Sequence, residues 1–361
     1  MLIIKSPELY INEFGILKEA GKYIREYGKK AFLIAGRTAW KNVGNEMKKS
    51  LQESGIEYNV KIMEGYPTYK KVESFASEAY QYQADVVVGI GGGKICDVAK
   101  AVGNFRNVAL VMVPTIPATC ACWAARSILY TEDGDFDFIQ WNKTNTKLIL
   151  ADTGVLMKAP KRYLASGIVD TLAKWYEFEP LIATGKNDVI LRQDVAIAEL
   201  AFQILTELGE RAMKNQVSEE EQKQIIDAIL FLAGATGSFS SGKAYRGLAH
   251  PYYFTSTRIP ESRYQLHGEK VAFGLLVQFL LTGKNKEFTD GFLNDLVTYQ
   301  ILDTPKDWNT ADTDKTIHDI AKLLTKEWPV IVEKGFVNSV EEAEKAIHEA
   351  STMIEQIKKD R

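Results

Sequence analysis

ADVVVGIGGGKICDVAK, residues 84–100, is the stretch on which the fold turns. Val86, Val87, Val88 and Ile90 form an apolar run without polar alternation, the pattern of a strand covered on both faces in a parallel sheet. Gly91, Gly92 and Gly93 follow, and a helical stretch begins at Lys94. Such a turn leaves backbone amides uncovered at a helix N-terminus, where the dipole favours an anion such as a pyrophosphate, and Lys94 adds a cation beside it. The spacing is neither G-x-G-x-x-G nor the P-loop pattern, so phosphate binding and a plain tight turn both stay open.

On either side the same alternation recurs. AFLIAGR (31–37) reads as a strand ending in a glycine turn at Gly36 and Arg37, NVKIMEG (59–65) as a second strand and VALVMVPT (108–115) as another buried one. VESFASEAYQYQ (72–83) and KICDVAKAVGNF read as the helices between them, the order of an open α/β layer. Beyond about residue 160 the periodicity changes: Val195, Ala198, Ala201, Leu205 and Leu208 recur at helical spacing, and later segments repeat the pattern. The chain therefore divides into an α/β domain over residues 1–160 and an all-helical domain over residues 161–361. Ser339 followed by Glu342 predicts a capping box at the start of the last helix.

Composition narrows the class. Apolar residues make up 46% and charged residues 25% of 361, enough for a sizeable core, and 44 basic against 47 acidic residues exclude a generally basic nucleic-acid surface. Three cysteines cannot build a disulfide framework in a chain this long, which predicts a reducing compartment, the cytoplasm. A leader sequence and a membrane span are not expected.

Candidate chemistry lies in three places. VPTIPATCACW (113–123) ends a strand, and Thr115 and Thr119 are expected on the same side of the sheet as the glycines, beyond the carboxyl ends of the strands. Cys120 and Cys122 form only C-x-C, which suits pocket lining better than a zinc thiolate site. Of four histidines, His318 and His348 lie in amphipathic, highly charged helices, whereas His250 and His267 lie near Gly247 and Gly268 in the helical half. Each is either a hydrogen-bonded core residue or a ligand. Asp170, in LASGIVDTLAKWYE, is an acid in an apolar helix and costly to bury without a cation or donors. Two imidazoles and one carboxylate suit a catalytic Zn²⁺ or Fe²⁺ ion, and spacing does not choose between them.

In order, GGGKICDVAK, VPTIPATC, GIVDTLAKWYE and LHGEKVAFG resemble the motifs of glycerol dehydrogenases, within the iron-containing alcohol dehydrogenase superfamily. The resemblance implies a dinucleotide-binding first domain, a helical second domain of the architecture that dehydroquinate synthase shares, and a divalent metal, Zn more than Fe, held by Asp170, His250 and His267. By position it assigns Gly91, Gly92, Gly93, Lys94, Asp97, Thr115 and Tyr130 to the dinucleotide. Glycerol dehydrogenases carry an aspartate where this chain has Cys120, and the stretch is closer to the hydroxycarboxylate dehydrogenase branch, which reduces 2-oxo acids. Interconversion of small 2-oxo and 2-hydroxy acids by hydride transfer is therefore the leading expectation, with Arg126 meeting a substrate carboxylate or else the cofactor or solvent. The alternatives are a glycerol or diol dehydrogenase using NAD, a dehydroquinate synthase-like lyase, and a non-catalytic ligand-binding relative. The lyase needs a basic phosphate cluster, for which only Lys243, Arg246, Arg258 and Arg263 offer themselves. Where the family often has a second histidine for proton relay, this chain has Tyr253. NAD-selective relatives carry an acid after the first strand; Gly36 and Arg37 in that place predict that NADP is accepted and preferred over NAD, unless Arg37 is simply an exposed loop residue. A homo-oligomer acting on a small-molecule substrate, without nucleic acid or membrane, completes the expectation.

Overall fold

The structure, a computed structural model, describes residues 3–182, 188–236, 239–240 and 247–361. The chain forms two compact units, one of Met1–Leu164 with Val217–Ser241 and one of Ala165–Gln216 with Gly242–Arg361. The cut thus falls at 164/165, and residues 217–241, helical in texture, return to the α/β unit.

The strands are β1 (Ile3–Ile4), β2 (Leu9–Glu13), β3 (Lys30–Gly36), β4 (Glu57–Met63), β5 (Val86–Gly91), β6 (Ala109–Pro114), β7 (Arg126–Tyr130), β8 (Phe136–Trp141), β9 (Leu148–Asp152) and β10 (Phe239–Ser240). Six of them form one parallel sheet in the order β2-β9-β6-β5-β3-β4. β5 is buried at every residue, as its uninterrupted apolar run requires. On one face, Leu33, Val88, Ile90, Val111 and Leu150 pack with Leu17, Ile24, Val43 and Met47. From β3 the chain steps to β4 on one side and then to β5 on the other. That reversal is a topological switch point, and the crevice beyond the carboxyl ends of β3 and β5 is where open α/β sheets hold ligands. β7 and β8 form a separate antiparallel hairpin.

The second unit is largely helical, built on Lys161–Phe178, Val189–Met213, Ala249–Ser256, His267–Leu281, Lys286–Tyr299, Thr313–Glu327 and Val340–Asp360. The last helix is capped by the Ser339 side chain, but Glu342 Oε2 reaches Asn338 N at 2.7 Å rather than closing a box on Ser339. No helix among the described residues is long and apolar enough to cross a membrane.

Polar anchors explain why 217–241 joins the sheet. Asp227 Oδ1 accepts from the Tyr10 hydroxyl and from Asn12 Nδ2, both at 2.8 Å, and Asn12 also donates to the Lys223 carbonyl at 3.0 Å. Trp123 packs edge-on against Tyr10 and at a tilt against Phe231, with ring centroids at 5.5 and 5.0 Å. Replacing Asp227 by Ala orphans two donors at about 1–3 kcal/mol each, so D227A should unfold at a clearly lower urea midpoint than wild type, whereas Tyr10→Phe should lose about 1 kcal/mol.

Candidate functional site

In the first unit, expected cofactor residues gather at the switch point. Gly36 and Arg37 follow β3, and Gly91 pairs in register with Pro114 of β6, whose next residue, Thr115, donates its N–H to the Gly91 carbonyl at 3.2 Å. A Cβ on Gly91 would come within 2.6 Å of Ile95 Cγ1, so only glycine lets the strand turn this tightly into its helix. That helix, Gly93–Arg106, starts without a side-chain cap, which leaves its positive end available to an anion. Lys94 Nζ lies 4.2 Å from the Tyr66 ring centre, and burial, with Lys71 nearby, pushes its pKa down. Tyr66 is also 6.0 Å from the Tyr130 ring, so Lys94 and Tyr130 meet through an aromatic residue that the sequence reading passed over.

Arg37 departs from expectation. It is exposed and tied to Glu64, with Nε and Nη2 both 2.6 Å from the same carboxylate oxygen. Asp97 and Arg126 are organised by Lys100, which the sequence reading also missed. The buried Lys100 ammonium is 3.0 Å from Asp97 Oδ1 and donates to the carbonyls of Ala121 at 2.6 Å, Ala124 at 3.1 Å and Arg126. Burial raises the Asp97 carboxyl's pKa, while Lys100, the Ile128 amide and the Arg126 charge oppose the rise. Cys122 is buried and Cys120 partly so. Thr119 lies close to Gly93, its Oγ1 3.2 Å from where a Cβ on that glycine would stand.

The second unit holds the metal-type cluster. Asp170 projects from the helix Lys161–Phe178, His250 from Ala249–Ser256 and His267 from the first position of His267–Leu281. Their ligand atoms all lie within 4.8 Å of one another, and they are the one such group of three among the described residues. Both imidazole Nε2 atoms point at Asp170 Oδ1, at 3.2 Å from His250 and 3.1 Å from His267. Packing sets this geometry. A Cβ on Gly268 would stand 2.0 Å from the Ser166 carbonyl oxygen, so a glycine beside His267 is what brings the two helices into backbone contact, and the Gly268 amide donates to Ser166 Oγ at 3.0 Å. Gln278 donates to the Tyr176 carbonyl and accepts from Leu248 N, both at 2.8 Å, which ties all three helices together. Burial would raise the Asp170 carboxyl, but Lys174, 3.6 Å away, and the two histidines hold it well below the usual carboxylate range. Burial lowers the pKa of His267, and Asp170 opposes the shift. Tyr253 packs edge-on against His267, with ring centres 4.1 Å apart.

This donor set fits a divalent cation: one anionic oxygen and two imidazole nitrogens converging from three helices, the ligand chemistry of open catalytic sites. Sequence spacing did not reveal Lys174 or Glu177, although both lie in the same motif as Asp170. Of the basic residues weighed for a lyase, Lys243 and Arg246 lie outside the described residues, and Arg258 is engaged by Glu327 at 3.0 Å.

Residues 7–153 match the family described as iron-containing alcohol dehydrogenase. Glycerol dehydrogenases of Escherichia coli O6:H1 and Pseudomonas putida are 31% and 33% identical over 286 and 285 residues, covering 77% of this chain and 77% of each relative. Hydroxycarboxylate dehydrogenase A of Escherichia coli K12 is 31% identical over 228 residues, 62% of this chain and 63% of that one. Among solved structures, a probable glycerol dehydrogenase from Sinorhizobium meliloti superposes with a TM-score of 0.84 at 22% identity, covering 98% of this chain and 99% of that one.

Lys100 gives the sharpest test of how the first unit is held. Lys100→Met would strip three carbonyls and a buried carboxylate of their cation, a loss of about 3–5 kcal/mol when one partner of a buried pair is removed. Thermal unfolding should show a large drop in midpoint, whereas Lys94→Met should leave the midpoint nearly unchanged.

Proposed function

The chain belongs to the iron-containing alcohol dehydrogenases, and from that premise we propose that it oxidises the CH–OH group of a small polyol or diol with NAD(H), using a divalent cation held by Asp170, His250 and His267. The observation that carries this reading is the convergence of those three side chains on one point within the helical unit. When bound, the cation supplies Lewis acidity to a substrate oxygen and the nicotinamide accepts the electron pair. The protein's part is placement. Asp170 stays ionised, His250 and His267 offer imidazole nitrogens, and Tyr253 braces the His267 ring. The uncapped helix start after Gly92 and the carboxyl ends of β3, β5 and β6 offer the pyrophosphate its site, with Gly36, Gly91, Gly93, Lys94, Asp97, Thr115 and Tyr130 as the surrounding residues.

Glycerol or diol oxidation, ranked second from sequence, is supported by the names and coverage of the relatives over 2-oxo acid reduction, which was ranked first. One observation still favours a 2-oxo acid: the partly buried Cys120 stands where the resembled polyol enzymes carry an aspartate. The dinucleotide preference is revised for a similar reason. With Arg37 paired to Glu64, a 2′-phosphate meets a charge-neutral pair instead of a free guanidinium, so NADP loses its expected advantage and NAD(H) is the proposed cofactor.

After chelation, activity on glycerol or 1,2-propanediol with NAD should vanish and return with added Zn²⁺ or Fe²⁺, read by absorbance of the reduced nicotinamide. Faster turnover of 2-oxobutyrate than of either diol would reverse the substrate assignment. Because the Arg37–Glu64 pair is exposed and weak, Glu64→Gln should improve KM for NADP(H) relative to NAD(H) only modestly, by about threefold. An unchanged KM ratio would remove Arg37 from cofactor choice.

A further inference from the structure

Glu177 lies two turns after Asp170 on the helix Lys161–Phe178 and is buried at 4% exposure. A carboxylate so far from water needs donors, and His250 supplies two of them. Glu177 Oε1 accepts from the His250 backbone N–H at 3.0 Å, and Oε2 contacts His250 Nδ1. One carboxylate thus grips both the main chain and the ring of the same residue. The other ring nitrogen, Nε2, is 3.2 Å from Asp170 Oδ1, within the group of three. A ring whose Nδ1 donates to a carboxylate carries its proton there and presents a lone pair on Nε2.

We infer that Glu177 is a positioning residue: it holds His250 in the Nδ1–H tautomer and in the ring orientation that turns Nε2 toward Asp170 and His267. The inference rests on the metal reading above. The geometry gives Glu177 two separable tasks. The Oε1 contact fixes the start of the helix Ala249–Ser256, and the Oε2 contact fixes the ring. Gln278, bridging Tyr176 and Leu248, holds the flanking backbone so that the grip does not depend on Glu177 alone. Glu177→Gln keeps the shape but brings an NH₂ group against one of the two donors, so it should weaken the grip without emptying the space.

The test uses the purified full chain. Zn²⁺ affinity is measured by competition with a chromogenic chelator for wild type, E177Q and Asp170→Asn. In parallel, the Nδ1 proton of His250 is followed by NMR of Zn²⁺-loaded, ¹⁵N-histidine-labelled protein, which is tractable because the chain has four histidines. The expected result is Zn²⁺ affinity weakened about 10–100-fold in E177Q, with the slowly exchanging His250 Nδ1 proton lost, and high-affinity uptake abolished in D170N. Wild-type affinity in E177Q overturns the inference, and so does weakened affinity with the Nδ1 signal intact, which would mark a merely structural role. If E177Q does not fold, E177D replaces it; at least a threefold loss is then expected, and none overturns the proposal. A wild-type chain that takes up no divalent metal overturns the metal reading itself, whereas wild-type uptake that D170N abolishes leaves that reading standing whatever E177Q shows.

Discussion

A carboxylate at 2% exposure in the middle of an apolar helix is the constraint around which the helical unit is arranged. Asp170 cannot be buried as an isolated charge, because desolvation of an unpaired ion exceeds what packing returns. It is met instead by Lys174 one turn away and by two imidazoles from other helices. Those contacts in turn dictate how closely the helices approach, which is why a glycine must follow His267 and why Gln278 spans the gap between Tyr176 and Leu248. The same surplus of donors around one oxygen is what a divalent cation would exploit.

The α/β unit answers a different electrostatic demand by similar means. The order in which its strands are laid down reverses between β3 and β5, which sets two glycine turns at the carboxyl ends of neighbouring strands, and the loop that follows β6 has to be pinned beside them. Lys100 does this from inside the helix Gly93–Arg106, spending its charge on carbonyls of residues 121–126 and on Asp97. An ammonium in that role serves structure, whereas Lys94, six residues earlier on the same helix, is exposed and lies over the Tyr66 ring.

Much of the fold was legible because its signals are local. The uninterrupted apolar runs of β3, β5 and β6 and the three glycines mark a parallel sheet wherever they occur, and helical periodicity marks the second unit. β2 and β9 escaped notice. Leu9–Glu13 is a half-buried edge strand with polar residues at Asn12 and Glu13, and Leu148–Asp152 is five residues long, too short for periodicity to register. The return of 217–241 to the sheet was also invisible, since it depends on Tyr10, Asn12 and Asp227, more than two hundred positions apart. In the site, Asp170, His250 and His267 stood out by residue type and motif, while Glu177, Lys174, Lys100 and Glu64 are ordinary charged residues whose roles come from their neighbours.

The amino-acid order alone therefore determined the class of each unit, the place of the glycine turn and three candidate ligands, Asp170, His250 and His267, because periodicity, backbone freedom and side-chain chemistry are properties of short segments. Tertiary packing decided which charge answers which: Arg37 to Glu64, Lys100 to Asp97, His250 to Glu177. Electrostatic pairing depends on distance and burial, and neither exists until remote segments are brought together.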